Sequence, residues 1–315
     1  MRVVVTGGAG FIGANLCRAL AGDGRVSSVV AVDDLSSGSR ANLEGAGVEL
    51  IEATVLDPAA VDGALDGADA VVHLAARPSV PRSLEDPVAT HQANATGTVA
   101  VLEGARRRPP GRRPHVIVAS SSSVYGANPA LPKREDMATM PLSPYAASKL
   151  ATEAYSLAYG HSFDMAVLVF RFFNVFGPLQ AADHPYAAVV PTFVAAALRH
   201  DPLPVHGDGH QTRDFTFVGS VVEVLLDALA RRVTSPTPLN LAFGSRTSVL
   251  ELAGLLEELL GRPLARRHLP ARPGDVRDSQ ADRRALRRLF GQVGAVSLAE
   301  GLRATVDWFG GDGPR

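Results

Sequence analysis

Thr6-Gly7-Gly8-Ala9-Gly10-Phe11-Ile12-Gly13 directly follows a short valine run, Val3-Val4-Val5, and leads into a stretch of helical period over residues 12–21. Glycines at this spacing between a strand and a helix have separate tasks. Gly7 permits a tight turn, Gly10 lets the main chain approach a pyrophosphate, and Gly13 allows the helix to pack closely on the sheet. The N-terminus of that helix then faces the phosphates with its unpaired N–H groups. The next apolar run, residues 29–32, ends at Asp33, followed by Asp34. A carboxylate at that strand end can accept both ribose hydroxyls and repels a 2′-phosphate, which favours NAD over NADP. Arg40 is the one nearby cation that argues the other way.

The same alternation continues outward. Apolar runs at 48–51, 70–74, 116–119 and 166–170 are separated by helix candidates at 61–65, 88–107 and 144–159. Strands apolar on both faces, with helices between them, indicate a parallel sheet covered on both sides, a doubly wound α/β domain. Asp57 before Pro58 reads as a helix N-cap. After Phe176-Gly177-Pro178 the pattern breaks into helices near 191–199, 221–231, 249–260 and 298–309 around a Gly207-Asp208-Gly209 loop. A smaller C-terminal region is expected to cap the sheet.

The chain has 315 residues, 46% hydrophobic and 20% charged, enough for one large or two modest cores. Its net charge of −1 supplies no global field for a nucleic acid or an anionic membrane, so neither is an expected partner. The single Cys17 excludes an intramolecular disulfide and a thiolate-based zinc framework. No leader or membrane-spanning run is read at the N-terminus or elsewhere, and a cytoplasmic protein without a metal centre is expected.

Tyr145-Ala146-Ala147-Ser148-Lys149 puts a phenol and an ammonium about one helical turn apart, on one face. A Tyr hydroxyl titrates near ~10, and a fixed cation beside it favours the phenolate. Such a pair can take a proton from a sugar hydroxyl. Ser120-Ser121-Ser122-Ser123 ends a strand at the carboxyl edge of the sheet, where open α/β folds bind their ligands.

Taken together, the glycine spacing, Asp33-Asp34-Leu35-Ser36-Ser37-Gly38, His73-Leu74-Ala75-Ala76, Asn94, the serine run before Val124-Tyr125-Gly126, and Tyr145-x-x-x-Lys149 resemble the extended short-chain dehydrogenase/reductase superfamily. Within it the chain is similar to the nucleotide-sugar 4-epimerases, over residues 1 to 309. The resemblance implies a Rossmann-type α/β fold, a doubly wound parallel sheet with a smaller C-terminal substrate-binding α/β region. Residues 1–174, with a return segment near 212–245, would bind NAD; 175–211 and 246–315 would bind the nucleotide-sugar. It places NAD against Gly7, Gly10, Phe11, Ile12, Gly13, Asp33, Asp34, Ser37, Gly38, Thr54, Val55, Leu74, Ala75, Ala76, Asn94, Ser120, Tyr145 and Lys149. In one respect the chain departs: a Gly-Asp pair often follows the third strand of the family, and here Ala53-Thr54 stands instead. Thr54 can still hydrogen-bond a base.

The catalytic residues implied are Ser121, Tyr145 and Lys149. Tyr145 would remove the O4 proton while hydride leaves C4 for NAD, Lys149 would hold the nicotinamide ribose and lower the phenol's pKa, and Ser121 would hydrogen-bond O4. Related 4,6-dehydratases carry Asp-Glu directly after the catalytic Thr, and UDP-glucuronate decarboxylases a Glu at the second position; here both positions are serine, Ser122 and Ser123. Reversible oxidation at C4 is what remains, with a 4-keto sugar that turns its other face before hydride returns. A dehydratase or decarboxylase, or a non-catalytic NAD-binding sensor, are the alternatives.

Turning over requires a firmly held nucleotide diphosphate. Arg213, in Gly207 to Asp214, and Arg272 with Asp275, in Arg272-Pro273-Gly274-Asp275, resemble the family's phosphate and ribose contacts. Asn174 matches a diphosphate or sugar contact, and Val205-His206 would line the base pocket mainly through the main chain. Ser79, Val80, Ala188 and Val189 lie in segments similar to the epimerases of UDP-N-acetylhexosamines. Ser279 falls where epimerases restricted to unacetylated hexoses have a Tyr, so UDP-GlcNAc/UDP-GalNAc are the expected substrates, with unacetylated UDP-hexoses or uronates beside them. Arg106-Arg107-Arg108 and Arg112-Arg113 read as solvated surface at a helix C-terminus, and His73 as structural. Two long helices, 88–107 and 144–159, could pair across a two-fold axis into a homodimer.

Overall fold

The computed structural model describes residues 1–271 and 276–311. Six strands follow from the apolar runs: β1 (Arg2–Thr6), β2 (Ser28–Asp33), β3 (Glu49–Glu52), β4 (Ala70–His73), β5 (His115–Ser121) and β6 (Val167–Phe172). With a late strand, Leu239–Leu241, they form one seven-stranded sheet. From the late strand inward the order is β6, β5, β4, β1, β2, β3, and every pairing is parallel. The order reverses between β1 and β4, the switch point at whose carboxyl edge such folds bind ligands. The expected Rossmann-type sheet is therefore present.

Alternate residues of each strand feed opposite cores. Val3, Val5, Val72, Ile117, Leu168 and Phe170 pack beneath α1 (Phe11–Ala21), while Val4, Val71, Val116, Val118, Val167 and Val169 pack beneath α2 (Pro58–Leu65). The N-cap of α2 is Asp57, whose side chain accepts from the amides of Ala59 and Ala60. The short helix α3 (Val80–Glu85) precedes α4 (Pro87–His91), a wider π-turn (Gln92–Thr96) and α5 (Gly97–Arg106). The helix expected over 88–107 is thus present with a π-turn inside it, at Asn94. Then comes α6 (Pro144–Phe163), capped by Ser143 with Pro144 at its first turn.

A second core belongs to α7 (Val189–Leu198), the strand Leu203–His206, α9 (Val249–Leu260) and α11 (Leu298–Gly310), where Phe193, Val205, Leu252, Leu256 and Leu302 meet. Between these elements α8 (Val218–Arg231) returns to lie on the main sheet beside α1, joined there by α10 (Arg284–Phe290). Several elements went unread in the sequence, among them α3, α10, the late strand and the paired strands Leu203–His206 and Arg266–Leu269. The arginines at 106–108 pair with Glu103, Asp62 and Asp66, and Arg113 donates to the carbonyls of Arg106 and Phe163 near two helix ends. They serve the fold.

His73 is buried between Thr6 (2.7 Å) and Thr98 (3.1 Å), and burial pulls its pKa down to about 3, with the Lys149 charge adding to the effect. His115, bonded to the Val233 carbonyl at 2.8 Å, falls to about 4 for the same first reason, burial. Both imidazoles bind protons more weakly folded than unfolded, so stability is complete above the unfolded value near 6.5 and is lost as pH falls below it. Each contributes a slope of about 1.4 kcal/mol per pH unit within that window. Melting temperature should therefore drop steadily below pH 6.5, and the double variant His73→Asn/His115→Asn should show a visibly flatter profile; an unchanged slope would refute the assignment.

Candidate active site

The glycine loop closes on itself. Gly7 has φ +70°, and a Cβ there would lie 2.7 Å from the Ala75 amide nitrogen; one on Gly13 would lie 2.0 Å from the Gly7 carbonyl oxygen. Gly10 differs, because a Cβ on it would meet only the Gly7 oxygen, at 3.2 Å. It is also the N-cap of α1, and no side chain caps that helix. The open side of Gly10 and the uncapped N–H groups of Phe11, Ile12 and Gly13 make a cradle that fits a pyrophosphate. At the end of β2, Asp33 is 7% exposed and accepts from the amides of Ala9 and Leu35, both at 2.9 Å. Burial raises its pKa against those hydrogen bonds. Arg40 pairs with Glu52, so the cation that argued for a 2′-phosphate already has a carboxylate partner. The residues present fit NAD.

The other residues expected to contact the cofactor lie along the chain path around the cradle. Gly38 lies against Ala9, and the Asp34 carboxylate accepts from the amide and hydroxyl of Ser36, with Ser37 exposed beyond it. Thr54 accepts from the Leu56 amide, and Val55 is buried against the main core. Leu74 and Ala75 are bonded to Thr6, with Ala76 next along the chain. Two expected contacts have committed side chains. Asn94 accepts from the Arg77 amide (2.7 Å) and donates to Ser148 (2.9 Å) and to the Arg77 carbonyl (3.3 Å), holding the 75–79 loop to α6. Ser120 donates to the Glu153 carboxylate at 3.1 Å.

At the end of β5 the chain turns through Ser122–Tyr125. Ser121 caps that turn, accepting from the Ser123 amide (3.2 Å) and hydroxyl (2.9 Å). Tyr145 stands half-buried in the first turn of α6; burial raises its phenol above the ordinary value, and the Ser121 hydroxyl pulls the other way. Lys149, one turn on and 5% exposed, donates to the Ala119 carbonyl at 2.8 Å, and burial brings it down to about 8. The largest effect on Tyr145 is desolvation, which favours the neutral phenol and opposes the lowering expected of Lys149.

Two cavities open from this edge. One is lined by Val80, Ser121, Ser122, Ser123, Asn174, Arg213 and Ser279, together with Tyr125, Lys133, Phe172 and Asp278. The other is lined by Asn174, Ala188, Val189, His206 and Arg213, together with Phe193, Pro204, Gln211 and Phe215. Asn174 and Arg213 belong to both. Arg213 is fixed by its bonds to the Thr212 and Arg277 carbonyls, each 2.9 Å, and the Ser279 amide bonds the Thr212 carbonyl. Val205 is fully buried in the second core, so the strand presents Pro204 and His206 to the cavity instead. Ser79 stands at the mouth of α3 with φ +92°. Arg272 and Asp275 lie outside the described residues. Lys133 and Asp278 carried no readable signal, although Asp278 adjoins Ser279.

Behind the serine turn lies a buried ion pair that sequence reading missed. Arg171 donates to Glu153 at 2.9 and 2.5 Å, with side chains 4% and 6% exposed. Its guanidinium sits 4.7 Å from the Tyr125 ring centroid, and Tyr125 donates to Asn240 on the late strand.

A model of the NAD dependent epimerase/dehydratase family matches residues 3–242. The chain belongs to that family. It is 39% identical over 315 residues to the UDP-glucose 4-epimerase of Mycolicibacterium smegmatis, with 98% of each sequence covered. Among solved structures it is similar to the UDP-N-acetylglucosamine 4-epimerase from Methanobrevibacter ruminantium M1 in complex with UDP-N-acetylmuramic acid, at TM-score 0.90 and 34% identity, covering 98% and 97% of the two chains. It is also similar to an NAD-dependent NDP-hexosamine 5,6-dehydratase involved in tunicamycin biosynthesis, at TM-score 0.88 and 34% identity, covering 99% and 98%. As an enzyme the chain falls with the NAD-dependent nucleotide-sugar 4-epimerases, and its cofactor is NAD.

Proposed function

We propose that this epimerase inverts C4 of UDP-hexoses, with UDP-GlcNAc and UDP-GalNAc as its preferred pair and UDP-glucose and UDP-galactose also accepted. The observation that carries the reading is the pair of cavities joined at Asn174 and Arg213. One takes the uridine end, the shared wall takes the diphosphate, and the serine-lined cavity takes the sugar beside Tyr145. In this reading residues 1–174 with the return segment 212–245 bind NAD, and the remainder binds the nucleotide-sugar, Arg272 and Asp275 included.

NAD, held by the glycine cradle and Asp33, would supply the acceptor and donor of the C4 hydride. Tyr145 takes the O4 proton and gives it back, while the Ser121 hydroxyl holds O4. Lys149 keeps a cation beside the phenol, anchored on the Ala119 carbonyl. Arg213 and Asn174 grip the diphosphate so that the 4-keto sugar can turn.

A dehydratase needs a carboxyl group near C5 and C6. Among the described residues the sugar cavity has one carboxylate, Asp278, and it accepts from Thr212 at 2.5 Å and faces Arg246 at 3.5 Å. These partners hold its carboxyl below the usual range, Thr212 first, which suits a structural anion and not a proton donor. That favours epimerisation over loss of water.

The test is incubation with UDP-, dTDP- and GDP-sugars, separating C4 epimers and recording mass, for the wild type and Ser279→Tyr. Turnover of UDP-GlcNAc at constant mass, abolished by Ser279→Tyr while UDP-galactose is spared, is the expected result. Loss of water refutes the reaction, and equal loss on both sugars refutes the role of Ser279. A homodimer completes the proposal: Leu84, Val88 and Tyr155 stand 51%, 64% and 48% exposed on α3, α4 and α6. No helix among the described residues is long and apolar enough to cross a membrane, and we place the activity in the cytoplasm.

A further inference from the structure

Two walls of the site touch each other through a contact that neither cavity requires. Val80, at the start of α3, lines the sugar cavity, and Glu85 ends the same helix. Ala188 and Val189, which line the nucleotide cavity, follow Tyr186 by two and three residues. The Tyr186 hydroxyl donates to the Glu85 carboxylate, 101 residues away in the chain. Arg82, also on α3, lies over the Tyr186 ring at 5.3 Å from its centroid. One aromatic side chain therefore meets both an anion through its hydroxyl and a cation through its face.

Each end of this contact is tied to buried structure close by. Ala187 is 3% exposed, its amide bonds the His184 carbonyl, and Val190 sits in the second core. On the other side Ser83 is fully buried and donates to the Val80 carbonyl at 2.7 Å, tying the middle of α3 to its start. Ser79 holds φ +92°, a region that side chains rarely adopt, so the turn that aims Val80 is held in place by its surroundings. Arg77, two residues earlier, lies 3.5 Å from Asp86 just past the helix. A displacement at Glu85 would be passed directly to Val80.

We propose that Tyr186 is a positioning residue that latches the sugar cavity to the nucleotide cavity, so that both walls close as one unit on a nucleotide-sugar. The inference rests on the epimerase reading above, and it addresses a hazard of that reaction. A sugar loose enough to turn is loose enough to leave while oxidised. Departure of the 4-keto nucleotide-sugar leaves the reduced cofactor stranded on the protein. With the latch intact, α3 and the 184–189 segment hold the exit shut for the time the sugar needs to turn.

The test uses the NAD-loaded enzyme and its Tyr186→Phe variant, which keeps the ring beneath Arg82 and removes only the donor. Epimer formation and absorbance at 340 nm are followed together after adding UDP-sugar, with a melting curve for each protein. Reduced cofactor should accumulate roughly threefold more per epimerisation event in the variant, the scale of one charge-assisted hydrogen bond screened by solvent, with unchanged melting temperature. Glu85→Gln, which keeps an acceptor but no charge, should lie between the two. An unaltered ratio of stranded to completed turnovers in a variant that melts normally overturns the latch alone. A wild type that epimerises no UDP-sugar overturns the epimerase reading and the latch with it.

Discussion

Tyr145→Phe should lower kcat roughly 10³-fold, within the range by which positioned acid–base groups contribute, while the protein still binds NAD and UDP. Among the described residues of the sugar cavity the other candidates are engaged or unsuited: the Tyr125 phenol is buried, pushed up to about 12 and bonded to Asn240, Lys133 donates to the Asn128 carbonyl, Asp278 is held by Thr212 and Arg246, and the serines are far weaker acids. The pH dependence sharpens the expectation. Burial raises the phenol above its ordinary value, so its reactive form grows with pH throughout the neutral range, while Lys149 begins to lose its proton at about 8. If the reaction needs the phenolate and the ammonium together, kcat/KM climbs up to about pH 8 and flattens above it, where the gain at Tyr145 is cancelled by the loss at Lys149. Steady-state kinetics across this range check both points, and a Tyr145→Phe enzyme with more than a tenth of wild-type turnover would remove Tyr145 from the mechanism.

The second large effect concerns stability. Arg171→Met or Glu153→Gln alone should destabilise the fold by about 3–5 kcal/mol, because each leaves a buried charge without its partner. For a chain of this length that corresponds to a melting temperature lower by on the order of 10 °C. Replacing both residues together should cost much less than the sum, since the unpaired charge is then absent. Thermal melts of the two single variants and the double variant form the cycle; additive losses would show that the two side chains do not act as a pair. Below their melting temperatures the single variants should also turn over more slowly, because Glu153 holds Ser120 and Arg171 lies on Tyr125, on either side of the serine turn.

Sequence alone reached far where local pattern carries the information. The valine runs alternate between two cores strand by strand, and the glycine spacing is dictated by contacts such as that of Gly13 with the Gly7 carbonyl, so both could be read without coordinates. Parity within the strand Leu203–His206 shows how a finer reading was available: Leu203 and Val205 point into the core, and Pro204 and His206 face out. Arg171, inside the apolar run of β6, advertised a buried cation that must have an anion. Which anion could not be read, because Glu153 reaches it only through tertiary packing of α6 on the sheet. Helix α10 escaped because two buried positions, Leu286 and Phe290, are too few to establish a period among arginines. The balance at Tyr145 escaped for another reason. Spacing reports that a phenol and an ammonium share a helix face, whereas their proton affinities depend on how much solvent the folded chain removes.

The wall of Asn174 and Arg213 common to both cavities has a consequence for metabolism. In the proposed reading an enzyme that grips its substrate at one end and lets the other swing admits both C4 configurations in the same cavity, and it catalyses the exchange in both directions. The ratio of epimers it leaves behind is fixed by the free energies of the two sugars in solution. If the proposed reading holds, flux through it runs in whichever direction the neighbouring reactions draw, and the chain would act as a reversible exchange between two pools, with direction imposed from outside.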